Sequence, residues 1–119
     1  MKQKVHSVSY LAKAEFEFKS GVYDLVALPT GAEVVKVSLE VVGNPVSGSI
    51  CVGFKDESTK DYFLTLEEFT IKIATSAKDY TATSNKVVVA EVKNANNNND
   101  AKGVLRVLYF LPSVIEVEY

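Results

Sequence analysis

Few side chains in this sequence are of the kinds that do chemistry, and they stand apart from one another. His6 is the sole histidine and Cys51 the sole cysteine. A zinc site draws three or four ligands from His, Cys and carboxylates. No second histidine accompanies His6, and Cys51 is too isolated to complete such a set. A nucleophilic thiol needs an adjacent base or a lowered pKa. Cys51 lies between Ile50 and Val52, the setting of a small residue in or near a core. Asp56, Glu57 and Asp61 could offer carboxylates to calcium, but Lys55 and Lys60 interleave them and the spacing is not that of an EF-hand loop. Ser47, Ser49, Thr81 and Thr83 have neither a nucleophile-elbow context nor a histidine for a triad. Gly43, Gly48 and Gly53 are spread through turns and strands and form no phosphate-binding loop. No cofactor and no catalytic function are expected.

The backbone that would position these residues reads as strand almost throughout. In Glu33–Val42 (EVVKVSLEVV), Val35, Val37, Leu39 and Val41 alternate with Val34, Lys36, Ser38 and Glu40. Period two describes a strand with one buried face; a helix would scatter the same residues around its axis. Leu28-Pro29-Thr30-Gly31 before it and Gly43-Asn44-Pro45 after it are turn-forming. Further strands are expected over Lys13–Lys19, Val22–Leu28, Ser49–Lys55, Thr70–Ala74, Lys86–Lys93, Gly103–Leu111 and Val114–Tyr119, with a weak edge strand around Tyr80 and Thr81. In Val22–Leu28, alternation sets Tyr23, Leu25 and Ala27 opposite Val22, Asp24 and Val26. A short helical turn is expected near 64–69, where Glu67 and Glu68 separate Leu66 from Phe69. Asp56–Asp61 reads as a charged loop and Asn94–Gly103 as a long, Asn-rich hairpin tip. The N-terminal stretch is either a short strand over Val5–Tyr10 or an extended arm of about residues 1–12. The sum is an all-β chain: a single antiparallel β-sandwich, jelly-roll-like, of about 8–9 short strands.

Composition agrees with one domain over residues 1–119. An apolar fraction of 47% and a charged fraction of 24% are ordinary for a globular chain. The net charge of −2, without a basic cluster, carries no electrostatic footprint for nucleic acid. No apolar run reaches the roughly 20 residues of a membrane-spanning helix. The opening residues alternate and do not form the apolar block of a signal peptide. A single cysteine permits no intrachain disulfide, as suits synthesis in a reducing compartment.

Three segments together resemble a known family. They are Leu28-Pro29-Thr30-Gly31 leading into the valine-rich strand to Val41; Ser47–Phe54 with Asp56 and then Asp61-Tyr62-Phe63-Leu64; and Gly103–Tyr109 closing on Phe110-Leu111-Pro112. Their order is similar to that of small β-rich virion structural proteins of tailed bacteriophages and prophages, of the capsid decoration (cement) or head-fibre type. The chain departs from that pattern at Gly53-Phe54-Lys55 and in its Asn-rich loop. The resemblance implies a non-enzymatic virion component, made in the host cytoplasm. It further implies self-association, commonly as a homotrimer, and contact with a major capsid protein.

Two surfaces are expected from the residues themselves. Val34, Val104 and Leu108 fall on the outer face of their strands, so they are candidates for burial against a partner. Tyr62 and Tyr80 lie beside polar loops and are candidates for a ligand surface, which would make a carbohydrate- or receptor-binding module the alternative function.

Overall fold

The computed structural model describes residues 2–6, 8–45, 47–67, 72–96, 100–111 and 114–118. The described strands are β1 (Lys2–His6), β2 (Ser9–Glu17), β3 (Gly21–Leu28), β4 (Glu33–Val42), β5 (Ser49–Phe54), β6 (Leu64–Leu66), β7 (Ile73–Ser76), β8 (Tyr80–Thr81), β9 (Lys86–Lys93), β10 (Lys102–Phe110) and β11 (Val114–Glu118). Nine of them make two antiparallel sheets. The first runs β2-β10-β4-β7, with β8 also paired to β4; the second runs β3-β9-β5-β6. The chain changes sheet at most connections, and that alternation is the double Greek key of a jelly roll. The remaining pair, β1 and β11, forms a two-stranded ribbon of its own.

The core lies between the sheets. The first sheet contributes Phe16, Val37, Leu39, Val41, Leu105 and Val107; the second contributes Val26, Leu28, Ile50, Val52, Phe54, Val88, Ala90 and Val92. Period two holds along β9 and β10, but β-bulges break it in β3 and β4. In β4, Lys36 pairs with Leu108 while Val34 pairs with Tyr109, which leaves Val35 as the extra residue. The phase flips there, so Val34 turns inward and is fully buried. In β3, Asp24 pairs with Val89 and Val26 with Val88, leaving Leu25 extra. Val26 is therefore buried and Ala27 exposed, the reverse of simple alternation.

The turn before β4 has its own logic. Ala32 N–H donates to the Pro29 carbonyl at 3.1 Å, and Gly31 has φ of +89°. That is the position of a type II turn that favours glycine. The helical turn expected near 64–69 is corrected in part: Leu64–Leu66 is strand, and residues 68 and 69 lie outside the described residues. A 3-10 turn occurs earlier, at Glu57–Thr59, inside the charged loop. Asp56 starts it by accepting from Ser58 N–H at 3.4 Å. This turn lies over the second sheet at Gly53, where an added Cβ would stand 2.5 Å from the Lys60 carbonyl carbon. Gly53 is the register partner of Val89, which is fully buried although it faces away from the core.

The molecule extends 57 × 25 × 18 Å, with a radius of gyration of 15.9 Å. A compact domain of this length has a radius near 13–14 Å. The sandwich carries the ribbon beyond one end, where β2 and β10 run out.

Candidate interaction surface

The outward face of the first sheet is built in rows across β2, β10 and β4. Glu15, Val104 and Glu40 make one row; Lys13, Arg106 and Ser38 the next; Leu11, Leu108 and Lys36 the third; Ser9, Phe110 and Glu33 the last. Only the third row sets two apolar side chains side by side, Leu11 and Leu108. Val104 is outward but 6% exposed, flanked by the longer Glu15 and Glu40. The Arg106 guanidinium reaches Glu40 Oε1 at 3.2 Å beside it. Leu108 is half-buried, whereas Leu11 next to it is 63% exposed.

Of the three residues expected on this face, the structure therefore places one on its accessible apolar part. Leu108 lies there; Val104 is outward but covered; Val34 is corrected to the core, because the Val35 bulge inverts the strand. Alternation did not single out Leu11, Val8 and Tyr10. Val8 is 37% and Tyr10 48% exposed. Leu111 N–H donates to the Val8 carbonyl, and the Tyr10 ring stacks on Tyr109 with centroids 5.9 Å apart. So at this end of β2 and β10 the Tyr10–Tyr109 stack lies on the inner face and Leu11 and Leu108 on the outer one. The run GVLRVLYFL, apolar on both sides apart from Arg106, is the signal that pointed there.

Tyr62 and Tyr80 come together, but as a structural plug. Both pack on Phe54, at 5.2 and 4.5 Å between centroids, and meet each other at 5.5 Å with planes 73° apart. Both are half-buried, and the Lys78 ammonium sits 3.8 Å over the Tyr62 ring. Sugar stacking uses flat, open ring faces; these rings are edge-on, and one face is already taken by a cation. The cluster joins β5 and β8 across the two sheets.

The polar hollows are equally informative. One of about 400 Å³ is lined by Cys51, Ser58, Lys60, Asp61, Glu91 and Lys93. Its lysines are held by Glu91, at 3.6 Å for Lys60 and 3.3 Å for Lys93. The hollow offers the Cys51 thiol no histidine, and the near neighbour of Sγ is the Thr65 hydroxyl at 3.9 Å. Asp56 is occupied as the cap of the 3-10 turn. Among the described residues, no three His, Cys, Asp or Glu side chains converge as a metal site would require. The groove between Leu11, Lys36, Ser38, Arg106 and Leu108 holds about 260 Å³. That is below the usual range for a small-molecule site and suits side chains of a partner. His6 is the register partner of Val114 in the ribbon.

Comparison with known proteins places this geometry. The chain is 75% identical over the full length of both chains to a component of the acidic stable capsid structure of Helicobacter pylori bacteriophage KHP30, with a TM-score of 0.91. A chain of the cyanophage Pam1 capsid asymmetric unit shares the fold at 22% identity and TM-score 0.68, covering 87% of this chain and 85% of that one. A chain of the capsid of Ralstonia phage GP4 does so at 12% identity and TM-score 0.63, covering 92% and 88%. No family model matches the chain, and the curated proteins contain no match.

Proposed function

Because the chain belongs to the same family of small β-rich phage capsid proteins as its KHP30 relative, and so is a component of the virion, we propose that it acts as a decoration or cement protein. In this role it sits on a shell of major capsid protein and strengthens it through contacts alone. The observation that carries this reading is the outward apolar pair Leu11 and Leu108 on the first sheet, with Leu11 63% and the neighbouring Tyr10 48% exposed. A sandwich needs one apolar face per sheet. A second one is stabilised only when another surface covers it. Burying a leucine is worth about 1.5–3 kcal/mol, and a symmetric shell repeats each such contact many times. Self-association, with three copies favoured, belongs to the same reading. The edge-on, half-buried Tyr62 and Tyr80 favour no glycan-binding alternative.

The test is to add purified protein to shells assembled without it and measure co-sedimentation. Wild type is expected to saturate a fixed number of sites. Leu11→Asp changes a side chain that is 63% exposed, so it should fold normally. It is expected to bind at least tenfold more weakly, since each 1.4 kcal/mol is a factor of ten. Wild type that stays in the supernatant would remove the decoration role.

A further inference from the structure

The two outward leucines do not stand alone. The groove beside them is lined by Lys36, Ser38 and Arg106 as well as by Leu11 and Leu108. Lys36 is the register partner of Leu108, and Lys13 is that of Arg106 in the next row. These two rows thus hold three cations and no carboxylate. The acids of this face lie to either side. Glu15 and Glu40 flank Val104, and Glu33 at the far end accepts from the Thr81 hydroxyl. Arg106 reaches Glu40 Oε1 at 3.2 Å. Lys13 and Lys36 are exposed and, among the described residues, make no ion pair. Like charges set directly opposite on neighbouring strands destabilise the pair, so the Lys13–Arg106 juxtaposition does nothing for the isolated chain.

Charge says what can cover this groove. A surface that excludes water from Leu11 and Leu108 also strips it from Lys36 and Arg106, which line the same space. A cation dehydrated without an anion is penalised by more than a buried leucine gains. The cover must therefore carry carboxylates as well as apolar side chains. A second copy laid face to face does not meet that need, because a twofold contact sets these cations against themselves. A nucleic-acid backbone brings anions but no aliphatic cover for the leucines.

We propose that this groove receives an extended acidic and apolar segment of the shell protein, with an apolar side chain on Leu11 and Leu108 and carboxylates against Lys13, Lys36 and Arg106. Alternate residues of a strand are about 7 Å apart on one face. The leucine row and the Lys13–Arg106 row are separated by that same step, so the segment runs along the strands and carries apolar and acidic residues at alternate positions. This rests on the decoration reading and deepens it by naming the chemistry of the partner's surface.

The experiment mixes full-length protein with shells assembled without it and measures binding by co-sedimentation. Wild-type affinity is expected to fall about tenfold or more as NaCl rises from about 0.1 M to about 1 M, since the screening length shrinks from about 10 Å to about 3 Å. Leucine contacts alone would not weaken in that series. Lys13→Glu with Lys36→Glu changes two exposed side chains. That variant should melt as wild type does, keep the wild-type sedimentation mass, and bind shells about tenfold more weakly or worse. A zero-length carbodiimide added to shells carrying wild type should join Lys13 or Lys36 to Asp or Glu of the shell protein. The proposal is overturned, with the decoration role intact, if wild type binds and the charge-reversed variant binds equally well, or if salt leaves wild-type binding unchanged. It is equally overturned if the couplings fail to form or reach only copies of this chain. A lower mass for the free variant would assign the face to a contact between copies and overturn it too. Wild type that stays in the supernatant removes the decoration role and this segment together.

Discussion

Replacing Gly53 with alanine puts a methyl group where the structure has backbone. The new Cβ would lie 2.5 Å from the Lys60 carbonyl carbon, with the Thr59 carbonyl oxygen also inside contact distance. Carbon atoms rest about 3.5–4.0 Å apart, so the 3-10 turn must retreat by about 1 Å or more. It is poorly placed to do so. Thr59 N–H is bonded to the Asp56 carbonyl at 3.0 Å, Tyr62 N–H to the Thr59 carbonyl at 3.1 Å, and Phe63 N–H to the Val52 carbonyl at 2.9 Å. Held in place, the turn is overpacked, at a cost of about 1–3 kcal/mol. Lifted away, it uncovers the outward but fully buried Val89, whose burial is worth roughly 1.5–3 kcal/mol. Either route costs about 2 kcal/mol, which for a domain of this size lowers Tm by about 8 °C. Thermal and urea unfolding followed by far-ultraviolet circular dichroism read this directly. A melt within about 1 °C of wild type would refute the claim that the turn presses on this strand.

Gly103→Ala should be comparably damaging for a different reason. Its Cβ would meet the Phe16 ring, with Cε1 at 2.5 Å and Cε2 at 2.7 Å, and that ring is stacked against Tyr23 at 5.5 Å. A loss of about 1–3 kcal/mol is expected, and the double variant Gly103→Ala/Phe16→Leu should recover part of it in denaturant unfolding. Arg106→Ala, by contrast, breaks an ion pair with Glu40 whose side chains are 35% and 39% exposed. Screening by solvent and salt limits the loss to about 0–1 kcal/mol, and the difference from wild type should shrink further in high salt.

The fold class was legible because burial on one face of a sheet imposes period two on side-chain choice. The alternation of Val37, Leu39 and Val41 with Ser38 and Glu40 needs no tertiary information to interpret. The two bulges were not legible for the same reason. Val34 and Val35 are identical residues, so the sequence around them is consistent with either one turning inward. The partner strand β10 decides, by pairing Lys36 with Leu108 and Val34 with Tyr109. Asp24-Leu25-Val26 is ambiguous in the same way, since both apolar residues suit the core and only the register with Val88 and Val89 selects Val26. The helical turn was displaced because a Leu-Glu-Glu-Phe spacing carries little information. The capping carboxylate of Asp56, which does start a turn, sits among charges that read simply as a loop.

The interaction surface was half legible. Apolar residues on both faces of Gly103–Leu111 require cover on both sides, and this holds whatever the topology. Leu108 followed from that alone. Leu11 did not, because an exposed leucine in an ordinary alternating strand is common. It gains meaning only when β2 is seen paired to β10, with Leu11 directly opposite Leu108. The ribbon is further from reach. Lys2-Gln3-Lys4-Val5-His6 and Val114-Ile115-Glu116-Val117-Glu118 stand at opposite ends of the chain. Each alone is a short strand with a charged face, and their complementarity appears only once the register opposes them.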